Sequence, residues 1–370
     1  MRSIELKDFL KFTAVSDPKA APAGPGAAWV THRLDAENDR YIHTLMAGDG
    51  KAMAEVPGAN AGTLLWLDGD SFLCGMNVGP AHGARIGRYS ISARELTELF
   101  DIPVPGRIIA RLPGGCLLIM AEVNVLEQRR VSGKTGAELE NEWRAIEKEK
   151  DMCWVLDEFP FWQNGQGLTN KLRSTLYIRY PDGSLDRITD EFFDTSCAAY
   201  SDGTGEIYFA GAGFTREKEY LCGIYAYDVP TGRTRCLLEP GRYEIGGFGV
   251  HGRTIVFTAC VQDGIKPLAQ MHDLYTMDAV TGEMTILNSS ELSFGNAVGT
   301  DASYGGGDDF CVREDGVYFL VSIEERTELM RCTWLGELQS VAAIDGAICA
   351  FSMNDRRIIF TAMKDMRLQE

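Results

Sequence analysis

The chain has 370 residues, 45% hydrophobic and 24% charged, which excludes a disordered or collagen-like polypeptide and suits one large domain or a few ordinary ones. Acidic residues number 53 against 36 basic ones, and the formal charge of −17 gives a surface that repels phosphate backbones and anionic lipid. Nucleic acid and membrane are therefore excluded as expected partners, and the 40 glycines ask for many tight turns between many short strands.

The amino terminus, MRSIELKDFL, lacks the apolar core of a signal segment, and no apolar run nears ~18 residues. Ten cysteines are scattered without a CxxC pair, and the five histidines (His32, His43, His82, His251, His272) form no cluster of zinc spacing. Reduced thiols packed as small hydrophobes, a cytoplasmic location, no metal and no cofactor are the expectation.

In chain order the sequence predicts a repeat of turn residues followed by an apolar strand. Val30 in AAWVTH, Cys74 in SFLCGM and Ile119 in CLLIMA begin a column that continues with Phe209 in EIYFAG, Phe257 in TIVFTA, Phe319 in GVYFLV and Phe360 in RIIFTA. The recurring step of about 45 residues is that of a four-stranded propeller blade. Inner turns are predicted at Asp68-Gly69, Pro113-Gly114, Asp202-Gly203, His251-Gly252, Asp315-Gly316 and Asn354-Asp355, where positive φ favours Gly, Asn or Asp. Outer hairpins are marked by Gly50, Gly183, Gly232, Gly282 and Gly336, with Tyr89 to Phe100 as a weaker one.

The expected fold is all-β: a single seven-bladed β-propeller domain over 1–370, with blades at about 11–58, 62–102, 106–190, 194–240, 244–290, 306–343 and 346–370. The last blade is incomplete, because Lys364 to Glu370 is too short for two further strands. Either Met1 to Thr13 supplies a closing strand or the polypeptide stops before its gene does; the second is the expectation.

Blade 3 carries a helical insertion over 125–172. Thr135 and Glu138 have capping-box spacing, and Leu139, Trp143 and Ile146 recur at helical spacing, so a helix is predicted from Gly136 to about Lys150 with its apolar stripe on the propeller's side. Beyond it VLDEFPFWQNGQG reads as a loop, and Asp157, Glu158, Phe161, Trp162 and Asn164 are the candidate substrate-binding residues, an acidic and aromatic surface for a peptide's amino end or side chain. The competing reading plugs a hydrophobic gap with Phe159 to Trp162 and leaves the acids solvated.

No catalytic motif is complete. VSGKT ends like a phosphate-binding loop, but Gln128 stands where the leading glycine is required. No GxSxG occurs; Asp301 to Gly305, DASYG, comes nearest. His251 reads as a solvated turn residue. No catalytic residue is assigned.

The strand-and-turn units EIYFAG, YAYDVPTGRTRCLL and LYIRYPDGSLDRITD resemble the amino-terminal β-propeller of the prolyl oligopeptidase family of serine peptidases. LYTMDAVTGEMTIL and the terminal SMNDRRIIFTAMKDMRLQE resemble its acylaminoacyl peptidase and dipeptidyl peptidase branch. The resemblance implies a cytoplasmic oligopeptidase of two domains, in which this propeller gates short peptides to a carboxy-terminal α/β-hydrolase domain of the same parent chain. The triad of that family follows the propeller, so the resemblance implies an active parent and an inactive 370-residue chain, as a monomer or a homo-oligomer. Two alternatives stay open: a stand-alone propeller acting as a protein-interaction scaffold, and an enzyme with paired carboxylates inside the propeller, for which Asp308 with Asp309 and Asp157 with Glu158 are the acid pairs.

Overall fold

The repeated turn-and-strand units fold as small antiparallel sheets. The computed structural model describes residues 5–50, 52–164, 166–262, 270–299, 306–365 and 367. Five sheets each run through four strands in sequence order. They comprise Thr13–Ala20, Ala27–Asp35, Arg40–Gly48 and Met53–Glu55; then Ala59–Trp66, Ser71–Met76, Ala84–Ser90 and Glu95–Ile102; then Gly106–Arg111, Leu117–Asn124, Leu172–Arg179 and Leu185–Arg187. The fourth comprises Phe193–Ser201, Glu206–Gly213, Gly223–Asp228 and Arg233–Leu238, and the fifth Tyr243–His251, Thr254–Val261, Asp273–Asp278 and Met284–Asn288. A sixth set, Phe310–Arg313, Gly316–Ile323, Arg326–Cys332 and Leu338–Ala342, repeats the pattern, with Ser293–Phe294 added alongside Gly316–Ile323. The hairpin Gly346–Met353 and Ile358–Lys364 joins it through one parallel bridge, Thr327 to Ala347.

The aromatic and aliphatic column lies on the second strand of each sheet. Val30, Cys74, Ile119, Phe209, Phe257 and Phe319 are all at most 2% exposed, because a second strand is flanked by neighbours on both edges and packed on both faces. Phe360 is 36% exposed on Ile358–Lys364, which pairs with Gly346–Met353 alone among the described strands. The outer turns behave as predicted, with positive φ at Gly50, Gly183, Gly232, Gly282 and Gly336. The inner turns agree at Gly114, Gly252 and Gly316; in the Asp202-Gly203 turn positive φ falls on Gly205 instead, Asn354-Asp355 has none, and Gly69 has none and is held small by the carbonyl of Ala23, 2.8 Å from where a Cβ would stand.

The chain divides into two compact units, one of residues 1–103, 246–260 and 266–370, the other of 104–245 and 261–265. In the first, Val30 and Leu45 pack on Phe72 and Tyr89, Val256 on Val317 and Phe319, and Leu320 and Leu329 on Ile348 and Phe351. In the second, Leu118, Leu176 and Ile178 pack on Ile207, Phe209 and Tyr227. Within each unit neighbouring sheets thus pack on one another through apolar side chains of their inner strands, burying surface worth about 25 cal/mol per Å².

Between Leu117–Asn124 and its partner Leu172–Arg179 the chain leaves the third sheet for two helices, α1 (Val125–Val131) and α2 (Gly136–Met152). Asn124 caps α1, its Oδ1 accepting from the amides of Leu126 and Glu127. The capping box expected at Thr135 does not form: its side chain makes no cap bond, and Glu138 turns to Lys134, 3.0 Å away. Of the predicted stripe Ile146 is buried, with Leu139 and Trp143 half-buried. The two helices are tied by Arg130 to Glu142 and Glu149 at 2.8 and 2.6 Å, and by Lys150 to Glu127 at 2.5 Å. Residues 301–305, the nearest approach to a nucleophile elbow, lie outside the described residues.

Candidate functional site: a polar pocket under a pinned loop

Lys171, in the turn before the strand Leu172–Arg179, and Arg173 within it are both buried and need an acid to meet them, since an unpaired buried charge costs several kcal/mol. Glu158 meets both. Its side chain is 1% exposed, Oε1 lies 3.3 Å from Lys171 Nζ and bonds Arg173 Nη2, and Oε2 accepts from the Lys171 amide at 2.7 Å and from Arg173 Nη1 at 3.2 Å. The fully buried Arg173 spends its remaining donors on the carbonyls of Phe192, Leu172 and Phe214, and its guanidinium stacks 3.6 Å from the Phe214 ring centroid. Burial alone would push the Glu158 carboxyl up; the bonds from Arg173 and Lys171 outweigh it and hold it below the ordinary carboxylate value.

Asn170 completes the clasp. Its Oδ1 accepts from the amides of Asp157 and Glu158, and its Nδ2 donates to Val155 O at 3.1 Å. Phe159 bridges to the 216–218 segment through its amide to Arg216 O (2.7 Å) and its carbonyl from the Lys218 amide (2.9 Å). The hairpin Trp162–Gln163 with Gly167–Leu168 is thereby pinned over the third sheet.

Beneath that hairpin lies a cavity of about 350 Å³. Its floor is one face of the third sheet, where Arg107 stands opposite Met120 and Ser174 opposite Glu122. Its side is the start of Phe193–Ser201, where a bulge between Thr195 and Cys197 lets consecutive residues Asp194, Thr195 and Ser196 all face it. Gly211 opposite is obligatory, because a Cβ there would stand 2.2 Å from the Asp194 carbonyl. Most wall charges are already engaged. Asp194 takes the Ser174 amide (2.9 Å) and Lys218 Nζ (3.0 Å), and Glu122 accepts from Gln166 Nε2 at 3.1 Å.

The sequence-predicted residues sit around this pocket rather than in its wall. Glu158 is locked in the clasp. Asp157 is exposed and 3.0 Å from Lys171 Nζ, which holds its carboxyl below the usual value. Phe161 and Trp162 are 41% and 58% exposed on the outside of the hairpin, and Asn164 is exposed at its tip. The loop's pocket residues are Pro160, Gln163, Gln166 and Thr169. The signal for the clasp was legible in NKLRST, two basic residues at strand spacing next to an apolar run; the pocket had none, because its walls come from five separated segments. Asp308 is exposed and salt-bridged to Lys19, away from Asp157 and Glu158 in sequence and in a different unit. His251, placed in a turn, stacks on Trp334 with ring centroids 5.9 Å apart.

No family model matches the chain, and no curated protein gives a significant match. Solved structures do. The acylaminoacyl peptidase of Pyrococcus horikoshii superposes with a TM-score of 0.68 at 16% identity, over 98% of this chain and 51% of that one. The β-propeller domain of the Trilobed protease from Pyrococcus furiosus, described as having an open velcro topology, gives 0.61 at 15% identity over 97% and 94%. A puromycin-hydrolyzing peptidase of Mycobacterium tuberculosis gives 0.59 at 12% over 96% and 50%. The fold is that of a β-propeller, as these peptidases carry it. The chain spans about half the length of the full-length peptidases it is similar to.

Proposed function

We propose that this chain is the propeller of a serine oligopeptidase of the acylaminoacyl or dipeptidyl peptidase type, and that it gates short peptides to an α/β-hydrolase domain of the same parent. The observation that carries this reading is the likeness over 98% of this chain to about half of an acylaminoacyl peptidase. One such peptidase has been solved with Z-Gly-Gly-Phe-chloromethyl ketone, a peptidyl ligand. The triad is assigned to the other half, and the propeller contributes exclusion of large substrates together with polar wall. Ten cysteines without a disulfide support a cytoplasmic setting, and among the described residues no helix is long and apolar enough to cross a membrane.

Purified residues 1–370 are expected to hydrolyse no aminoacyl or acylaminoacyl p-nitroanilide. Turnover that persists through repurification overturns the assignment of the triad elsewhere. The coding DNA beyond Glu370 is expected to encode a GxSxG strand-to-helix turn; a stop codon in the intact gene would favour the stand-alone scaffold.

A further inference from the structure

The pocket's internal pairing leaves a definite remainder. Glu122, Asp194 and Lys218 have partners, but Arg107, an exposed residue at the pocket's edge, has Met120 Sδ, 3.9 Å away, as its side chain's one hydrogen-bond partner among the described residues. Thr195, 4% exposed, has a hydroxyl with no hydrogen-bond partner although it lines the cavity. The Gln163 side-chain amide points no bond elsewhere in the described hydrogen bonds. A fork of guanidinium donors, a hydroxyl and an amide with no matching acceptor is the donor set for a planar anion. The cavity's 350 Å³ holds the end of a short peptide and not a folded chain.

We propose that this pocket is a carboxylate site, in which Arg107 takes both oxygens of a peptide carboxylate and Thr195, after a rotation about χ1, supplies a further donor. It rests on the reading of the chain as a peptide-handling propeller and adds which end of the peptide is held. The four wall charges cancel, Lys218 and Arg107 against Asp194 and Glu122, but Asp194 is paired with Lys218 and Glu122 is bonded to Gln166, so Arg107 is left as the cation with donors to spare. The −17 formal charge works against an arriving anion, but at physiological salt it is screened beyond about 8 Å. Recognition is then local and geometric, which favours Arg over Lys.

The test is calorimetric binding of acetyl-triglycine and of its carboxy-terminal amide to the 370-residue chain, with acetyl-aspartyl-glycine amide to distinguish a side-chain carboxylate from a terminal one. The acid is expected to bind at least about tenfold more tightly than the amide. Arg107→Met should erase that preference, and Arg107→Lys should restore only part of it. Thr195→Val should weaken the acid while leaving the unfolding midpoint unchanged or raised, since it removes an unbonded buried hydroxyl; a merely structural threonine would leave affinity untouched. Binding of the aspartyl peptide but not acetyl-triglycine keeps the carboxylate site and moves its source to a side chain. Equal affinity for acid and amide, no binding of any of the three peptides, or a carboxylate preference that survives Arg107→Met overturns the proposal. Because no chemistry is measured, carboxylate binding combined with a stop codon after Glu370 would sink the peptidase reading and leave the pocket standing.

Discussion

In the first sheet a serine, an aspartate and two histidines share one set of protons. Ser16 donates to Asp17 Oδ2 at 3.0 Å, so at the 2.6 Å contact with His32 Nε2 the imidazole must be the donor. His32 Nδ1 is then bare and accepts from His43 Nδ1, 2.7 Å away. A proton added to His32 would face that donor, and burial together with His43 lowers its affinity for one, Asp17 opposing only in part. The unfolded histidine protonates near pH 6.5, so stability is full above that value and falls as pH drops toward the lower folded value, by up to about 1.4 kcal/mol per pH unit. Thermal melts between pH 7.5 and 5 should show this slope, and His32→Gln should flatten it; an unchanged slope in the variant would assign the acid sensitivity elsewhere. Nothing in the sequence announced the arrangement, since residues 16, 32 and 43 meet only through strand register.

At the scale of the element, the loop before Leu172–Arg179 owes its position to the clasp more than to its aromatic residues. Arg173→Met keeps the side chain's length but strands Glu158 in the interior. The expected loss is about 3–5 kcal/mol, read as a lower urea midpoint, with faster proteolysis between residues 153 and 164. A midpoint within error of the parent would mean that Lys171 alone satisfies Glu158. The sequence reading found the loop and its acids but gave Asp157 and Glu158 a recognition role. The structure turns both toward Lys171 and Arg173, because a strand registers its charged residues against whatever loop folds over them, and that loop is chosen by contacts distant in sequence.

Across the first compact unit the earliest and latest strands are joined. Ala20 N donates to Ser352 Oγ at 2.9 Å, Asn354 Nδ2 to Ala21 O at 2.8 Å, and Arg357 Nη1 to Pro25 O at 2.6 Å, while Lys19 pairs with Asp308. Asn354 is 6% exposed, and its Oδ1 also accepts from the amides of Arg356 and Arg357, so it holds its own turn and the first strand together. Asn354→Ala should lower the unfolding free energy by about 1–3 kcal/mol, because the Ala21 carbonyl is left buried without a partner. Hydrogen exchange should then rise at both Thr13–Ala20 and Gly346–Met353; acceleration at one strand alone would show that they open independently.

The amino-acid sequence by itself determined the β-propeller fold, because strand period, turn glycines and the column from Val30 to Phe319 are local or periodic signals that a single chain displays in order. The outer-turn glycines at positive φ and the helix from Gly136 were equally legible. Only the tertiary structure decided that Glu158 is a structural acid, that Asn170 and Arg173 pin the loop, and that Arg107, Gln163 and Thr195 face one cavity. The physical reason is that a pocket is made of side chains from strands far apart in sequence. Which of them meet is set by register, by a bulge at Ser196 and by buried ion pairing, none of which leaves a periodic trace.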